Sequence, residues 1–228
     1  MRRRIHLVRH GDVTYFDEAG QPLNPRTVPL TEHGRRQVAA LARWLAPVTF
    51  DRAVCSGLPR TRETAEILIE GRGLPLAEDP GFLEIRGGRL RDLPAERVGA
   101  LLANAYRDAG DPDACFLGGE SFATFTERVW TAFSALLADP GWTSLLLVAH
   151  DAVNRAILCR ALGCGLPGMA ALEQDLAGLS IIDADTRETG EPRLIVRAIN
   201  VTAYDPIKET IRETSMETVA LRYRPALK

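Results

Sequence analysis

An α/β architecture, one sheet covered by helices, is the fold class this sequence predicts, and three observations predict it. Short apolar segments rich in strand formers alternate along the chain with stretches of helical periodicity. One of them, Ser144 to Ala149 (SLLLVA), is apolar without interruption, the pattern of a strand buried on both faces. The chain has 228 residues, 46% of them hydrophobic, and a chain of that length can bury about 70–75% of its unfolded surface. The expected architecture is a single three-layer αβα domain with a central, mostly parallel sheet. Residues 1–205 form that domain, 87–120 make a small cap or insertion, and 206–228 are a C-terminal extension packed on it.

Each element has its own local justification. Ile5 to Val8 is a short apolar strand that stops at Arg9-His10-Gly11. Residues 12–29 hold Gly, Pro and Asn without helical spacing and read as a loop. Thr31 is an N-cap for a helix carrying Val38, Leu41, Ala42 and Leu45. Asp51 to Ser56 is a second buried strand. Pro59 suits the first turn of the helix that follows, with Ala65, Ile67, Leu68 and Ile69 along it. Between Gly71 and Glu120, Gly, Pro and charge dominate, with one helix expected after Pro94 (Val98, Leu101, Leu102). Ser121 caps a helix whose apolar face is Phe122, Phe125, Val129 and Phe133. After the SLLLVA strand comes His150, then a helix with Val153, Ile157 and Leu158. Leu179 to Ile182 and Leu194 to Ile199 are late strands, separated by a charged turn from Thr186 to Pro192. Beyond Val201 no element is expected until Val219 to Tyr223.

Composition excludes several classes of function. A net charge of −2 with 25% charged residues suits an ordinary folded domain, not a chain built to coat nucleic acid. No apolar run approaches the roughly 20 residues of a membrane span. Met1-Arg2-Arg3-Arg4 looks like the start of a secretory leader, but Arg9 and His10 interrupt the apolar stretch too early, so the cytoplasm is the expected location. Cys55, Cys115, Cys159 and Cys164 lack metal-binding spacing and read as reduced thiols.

The chemistry gathers at strand ends. In an open α/β sheet, ligands bind beyond the carboxyl ends of the strands. Arg9-His10-Gly11 ends the first strand and His150 ends the SLLLVA strand. Arg60 stands where the loop after the second strand enters a helix, a place suited to an anion, and Glu84 lies in a Gly-rich stretch able to reach the same edge. Two imidazoles, two guanidiniums and a carboxylate would suit phosphate. Each residue also has a plain structural reading. A histidine after a strand usually packs, Arg60 continues a polar helix surface, and Glu84 alone is an ordinary loop acid. His6 reads as a packed or edge residue and His33 as exposed.

These residues, taken with their neighbours, resemble the histidine phosphatase superfamily, the phosphoglycerate mutase-like proteins, branch 1. Leu7-Val8-Arg9-His10-Gly11 is similar to its signature, and Leu30-Thr31-Glu32-His33-Gly34-Arg35-Arg36-Gln37 to its first-helix stretch. Cys55-Ser56-Gly57-Leu58-Pro59-Arg60-Thr61-Arg62-Glu63-Thr64-Ala65 resembles its SxLxRxxxTA segment. Leu83-Glu84 sits at its LxE acid, Gly118-Gly119-Glu120-Ser121 at its GES turn, and Val148-Ala149-His150 at its second histidine motif. Six motifs in order cover about Ile5 to Asn200.

The resemblance implies a metal-independent phosphomonoesterase that hydrolyses a small phosphorylated metabolite through a phosphohistidine on His10. Arg9, Arg60 and His150 bind the phosphate with His10. Glu84 exchanges the proton with the leaving alcohol and then with water. No cofactor or metal is implied. The partner is a small phosphomonoester, and a homodimer is the assembly considered. Two departures bear on roles. Asp12-Val13-Thr14-Tyr15-Phe16 replaces the family's usual continuation, leaving Thr14 and Phe16, with Arg86, as substrate-contact candidates. Asp151 stands where the family commonly has Gly. The acid phosphatase branch has a proton-donating Asp there, so Asp151 ranks second to Glu84 as donor, with capping of the next helix as its other role. The alternatives are mutase-type phosphoryl transfer, a catalytically weak phosphate-binding module, and metal binding by His10 and His150.

Overall fold

The computed structural model describes residues 2–18, 20–111, 113–185 and 191–223. Among them, six strands form one sheet: β1 (Arg2–Arg9), β2 (Arg52–Cys55), β3 (Leu76–Glu78), β4 (Ser144–Ala149), β5 (Leu179–Asp185) and β6 (Arg193–Val201). Their order is β3-β2-β4-β1-β5-β6. β1, β2, β3 and β4 run parallel, and β5 alone is reversed, pairing antiparallel with both β1 and β6. The helices are α1 (Glu32–Trp44), α2 (Pro59–Ile69), α3 (Val98–Ala103), α4 (Phe122–Ala138), α5 (Asp151–Leu162) and α6 (Ser215–Arg222).

Strand alternation builds the three layers. Ile5, Leu7, Leu145 and Leu147 face a core shared with Phe125, Val129 and Phe133 of α4 and Val153 and Ile157 of α5. Val8, Leu146 and Val148 face the opposite core, with Val38 and Leu41 of α1 and Ala65 and Leu68 of α2. Successive side chains of a strand point to opposite faces, so the uninterrupted apolar run of β4 feeds both cores. His6 falls on the α1/α2 side, buried, its ring 5.1 Å from that of Phe50.

Thr31 and Ser121 cap their helices as expected, accepting from Gly34 N and Thr124 N. Four features differ from the sequence reading. β1 begins at Arg2, because Arg3 is buried over the Trp142 ring at 4.4 Å and donates to the carbonyls of Leu137 and Asp139. β3 has no counterpart in that reading. The loop at 12–29 carries two isolated bridges, Val13 to Leu30 and Phe16 to Pro22. The extension at 206–228 holds a helix that starts at Ser215, where Thr214 and Glu217 form a reciprocal capping box. That helix packs on α3, which lies in 87–120. Of the charged turn, 186–190 lie outside the described residues, as do 224–228 of the extension.

Candidate active site

Register brings the two histidines together. β1 and β4 pair Arg9 with Ala149, so the next residues, His10 and His150, emerge side by side at the carboxyl edge. Their ring centroids are 5.3 Å apart at 67°. β2 pairs Cys55 with Val148, which places Ser56 beside them. Its Oγ lies 2.7 Å from His150 Nε2 and 3.0 Å from Thr61 Oγ1. Behind His10 the backbone of α1 comes very close. A Cβ on Gly11 would lie 2.7 Å from Gly34 O, and one on Gly34 would lie 2.3 Å from Asp12 O. Only glycines fit that contact, which the Thr31 hydroxyl ties further by donating to Asp12 Oδ2 at 2.7 Å.

His10 is 1% exposed. Its Nδ1 lies 2.8 Å from the Gly11 carbonyl, so Nδ1 carries the hydrogen and Nε2 keeps its lone pair. Burial, then the positive charges of Arg60 and Arg9, hold its pKa well below the ordinary histidine value. His150, fully buried, is lowered by burial, Arg60, His10 and Arg9. Arg9 donates to Gln174 O and Ser215 Oγ, and Arg60 donates to Pro25 O. Burial, the largest influence on Arg9, opposes its charge. Asp151, Tyr15, Glu173 and Glu84 outweigh it and hold the pKa above the usual arginine value. Arg9 Nε, Arg60 Nε and His150 Nδ1 are buried without a protein partner. Unpartnered buried donors are costly, and two arginine donors beside an unpartnered imidazole nitrogen mark a site shaped for an acceptor-rich anion.

The acids enter from the other flank. Glu84 follows a 3₁₀ turn at Pro80–Phe82, which Arg128 of α4 anchors by donating to the carbonyls of Gly81 and Leu83 at 2.9 and 3.0 Å. Its Oε1 accepts from Ile85 N at 3.1 Å and Ala152 N at 3.2 Å. Burial, then the charge of Asp151, raises its pKa to about 7 against Arg60 and Arg9. Asp151 is not the cap of α5, a position His150 holds. Its Oδ1 instead accepts from Arg155 Nε at 2.6 Å, and Oδ2 is buried with no partner. Arg155 also donates to Glu173 Oε2 and Met169 O, both at 2.7 Å, and lies 4.2 Å over the Tyr106 ring.

His10, His150, Arg9, Arg60, Glu84 and Asp151 therefore meet at one edge. The three substrate-contact candidates do not join them as expected. Phe16 is buried and packs on the Tyr223 ring at 5.9 Å, its apolar surface covered by the extension. Thr14 is exposed. Arg86 is exposed too, its guanidinium 3.6 Å from Glu120, whose carboxylate also accepts from the Arg86 backbone. Among these loop residues Tyr15 is the one at the site, 5.9 Å below the Arg60 guanidinium. Sequence reasoning did not single out Ser56, though it lies inside the motif that carries Arg60. Ser215 and Glu173, which bind one another and reach Arg9 and Arg155, gave no local signal at all.

Comparison with known proteins agrees with this fold. The model of the histidine phosphatase superfamily (branch 1) matches residues 5–195. An adenosylcobalamin/alpha-ribazole phosphatase of Salmonella typhimurium is 35% identical over 164 residues, 70% of this chain and 79% of that protein. A 2-carboxy-D-arabinitol-1-phosphatase of Triticum aestivum is 29% identical over 211 residues, 90% of this chain but 42% of its own length. The chain thus spans less than half of that plant relative. Proteins named as probable phosphoglycerate mutases are also among the matches. A mycobacterial glucosyl-3-phosphoglycerate phosphatase structure superimposes with a TM-score of 0.72 at 25% identity, covering 88% of this chain and 99% of that one. The chain belongs to branch 1 of the histidine phosphatase superfamily.

Proposed function

We propose that this chain is a phosphomonoesterase acting on a small phosphorylated metabolite through a phosphohistidine on His10. The observation that carries the reading is the state of His10. Its Nδ1 hydrogen is committed to Gly11 O, which leaves Nε2 unprotonated beside His150 and the two arginines.

In the first half-reaction Nε2 attacks phosphorus, the P–O bond to the alcohol breaks, and protonated Glu84 gives the departing oxygen its proton. In the second, ionised Glu84 takes a proton from water as it attacks phosphorus. The P–N bond breaks and phosphate leaves. A pKa of about 7 lets one carboxyl serve both directions near neutrality. Arg9 and Arg60 stabilise the charge spread over the non-bridging oxygens. If Ser56 donates to His150 Nε2, the His150 Nδ1 hydrogen is free to join them. Positive charge supplied by arginines is what makes the step metal-independent in this reading. Hydrolysis is favoured over mutase-type transfer because mutases of this family generally carry longer insertions covering the pocket, and among the described residues 87–120 contributes only short turns and α3. A cytoplasmic location, and a domain at 1–205 with 206–228 as an extension packed on it, belong to the same reading.

The test is turnover of an aryl phosphate. His10→Ala is expected to abolish phosphate release while the circular dichroism spectrum stays that of the wild type. Release at the wild-type rate from His10→Ala would remove His10 as nucleophile.

A further inference from the structure

Resting on the phosphatase reading above, the geometry points to Asp151 as a specificity residue. Its free carboxylate oxygen, we propose, accepts a hydrogen bond from a hydroxyl on the leaving alcohol, so the substrate is a polyol or sugar phosphate rather than a phosphorylated carboxylic acid.

Four polar side-chain atoms of this edge are buried without a partner. Three are on the phosphate-binding groups Arg9, Arg60 and His150 and match phosphoryl oxygens. The fourth, Asp151 Oδ2, is an acceptor and repels those oxygens. Its residue is only 3% exposed, so bulk solvent does not reach it. Its place in the chain puts it on the leaving-group flank. Asp151 lies between His150 and Ala152, whose N–H holds the Glu84 carboxylate at 3.2 Å. The carboxylate cannot swing away, because Arg155 fixes Oδ1 and is itself held by Glu173 and Met169 O. Arg155 and Glu173 cancel, so the trio keeps one negative charge beside Glu84. A hydroxyl hydrogen satisfies that oxygen. A substrate carboxylate there would face Asp151 and Glu84 together.

The test holds the leaving group's proton demand nearly constant and varies its polarity. Glycerol 1-phosphate, n-propyl phosphate and 3-phosphoglycerate are compared by kcat/KM, with p-nitrophenyl phosphate as a control for the phosphatase reading. The wild type is expected to prefer glycerol 1-phosphate over propyl phosphate, and Asp151→Ala to erase that preference by about 10- to 100-fold, the scale of a hydrogen bond to a charged acceptor. Asp151→Asn can keep its amide oxygen on Arg155 and present NH2 in place of Oδ2. It is expected to shift the ratio toward 3-phosphoglycerate, a gain that misfolding cannot produce. Equal losses on glycerol and propyl phosphates would overturn the proposal and make Asp151 a proton donor or a packing residue. That outcome leaves the phosphatase reading standing, since p-nitrophenyl phosphate turnover by the wild type and its loss in His10→Ala report on that separately.

Discussion

Burial and charge set the state of each reacting group. In the proposed mechanism Glu84 is protonated when the alcohol leaves, and its pKa is raised to about 7. For an alkyl phosphate, kcat/KM is therefore expected to fall as pH rises through about 7 and to fall again in acid, once His10 is protonated well below 6.5. Glu84→Gln should remove the alkaline limb, and a limb that persists in this variant would assign it to another group. Arg60→Ala is expected to slow turnover by roughly 10²–10³, the scale for losing one preorganised donor. A rate within threefold of wild type would place Arg60 outside the chemistry. His10, His150 and Arg60 were legible because strand ends and a helix entry are local features. The orphaned Asp151 oxygen was not, since it depends on Arg155 being captured by Glu173 eighteen residues away.

Elements hold these groups by backbone contact. The loop that follows β1 and the start of α1 touch where Gly11 meets Gly34, so a methyl group has no room. Gly34→Ala is expected to cost about 1–3 kcal/mol by overpacking. At roughly 2–4 °C per kcal/mol for a domain of this size, calorimetry should record a lower Tm. An unchanged Tm would mean that the two segments separate without cost. Strands with long apolar runs were readable from sequence, β4 above all. β3 was not, because three residues at the sheet edge, one half-buried and two exposed, leave no periodicity to detect. The helix at 215–222 was placed only from Val219 on for a related reason, as no residue in it is fully buried and its capping box is its main local signature.

The whole molecule closes the site with its far end. Ser215 at the start of α6 binds Arg9, Arg222 at its end donates to Asp12 Oδ1 at 3.3 Å, and Tyr223 covers Phe16. These contacts join positions separated by about the full chain, which no local pattern reveals. Ending the chain at Arg212 is expected to lower Tm, slow turnover and speed proteolysis within 12–29. Unaltered kinetics would show that α6 leaves Arg9 unaffected. The order of the sheet, by contrast, follows from topology. β4 enters between β2 and β1, and the reversal of direction in strand order opens the crevice where His10 and His150 meet. Rapid acid-free quenching during turnover, followed by peptide mass spectrometry and 31P NMR, examines that crevice most directly. Phosphorus should appear on Nε2 of His10 and disappear in His10→Ala. Phosphorus on any other side chain, or steady turnover with none bound, would contradict it.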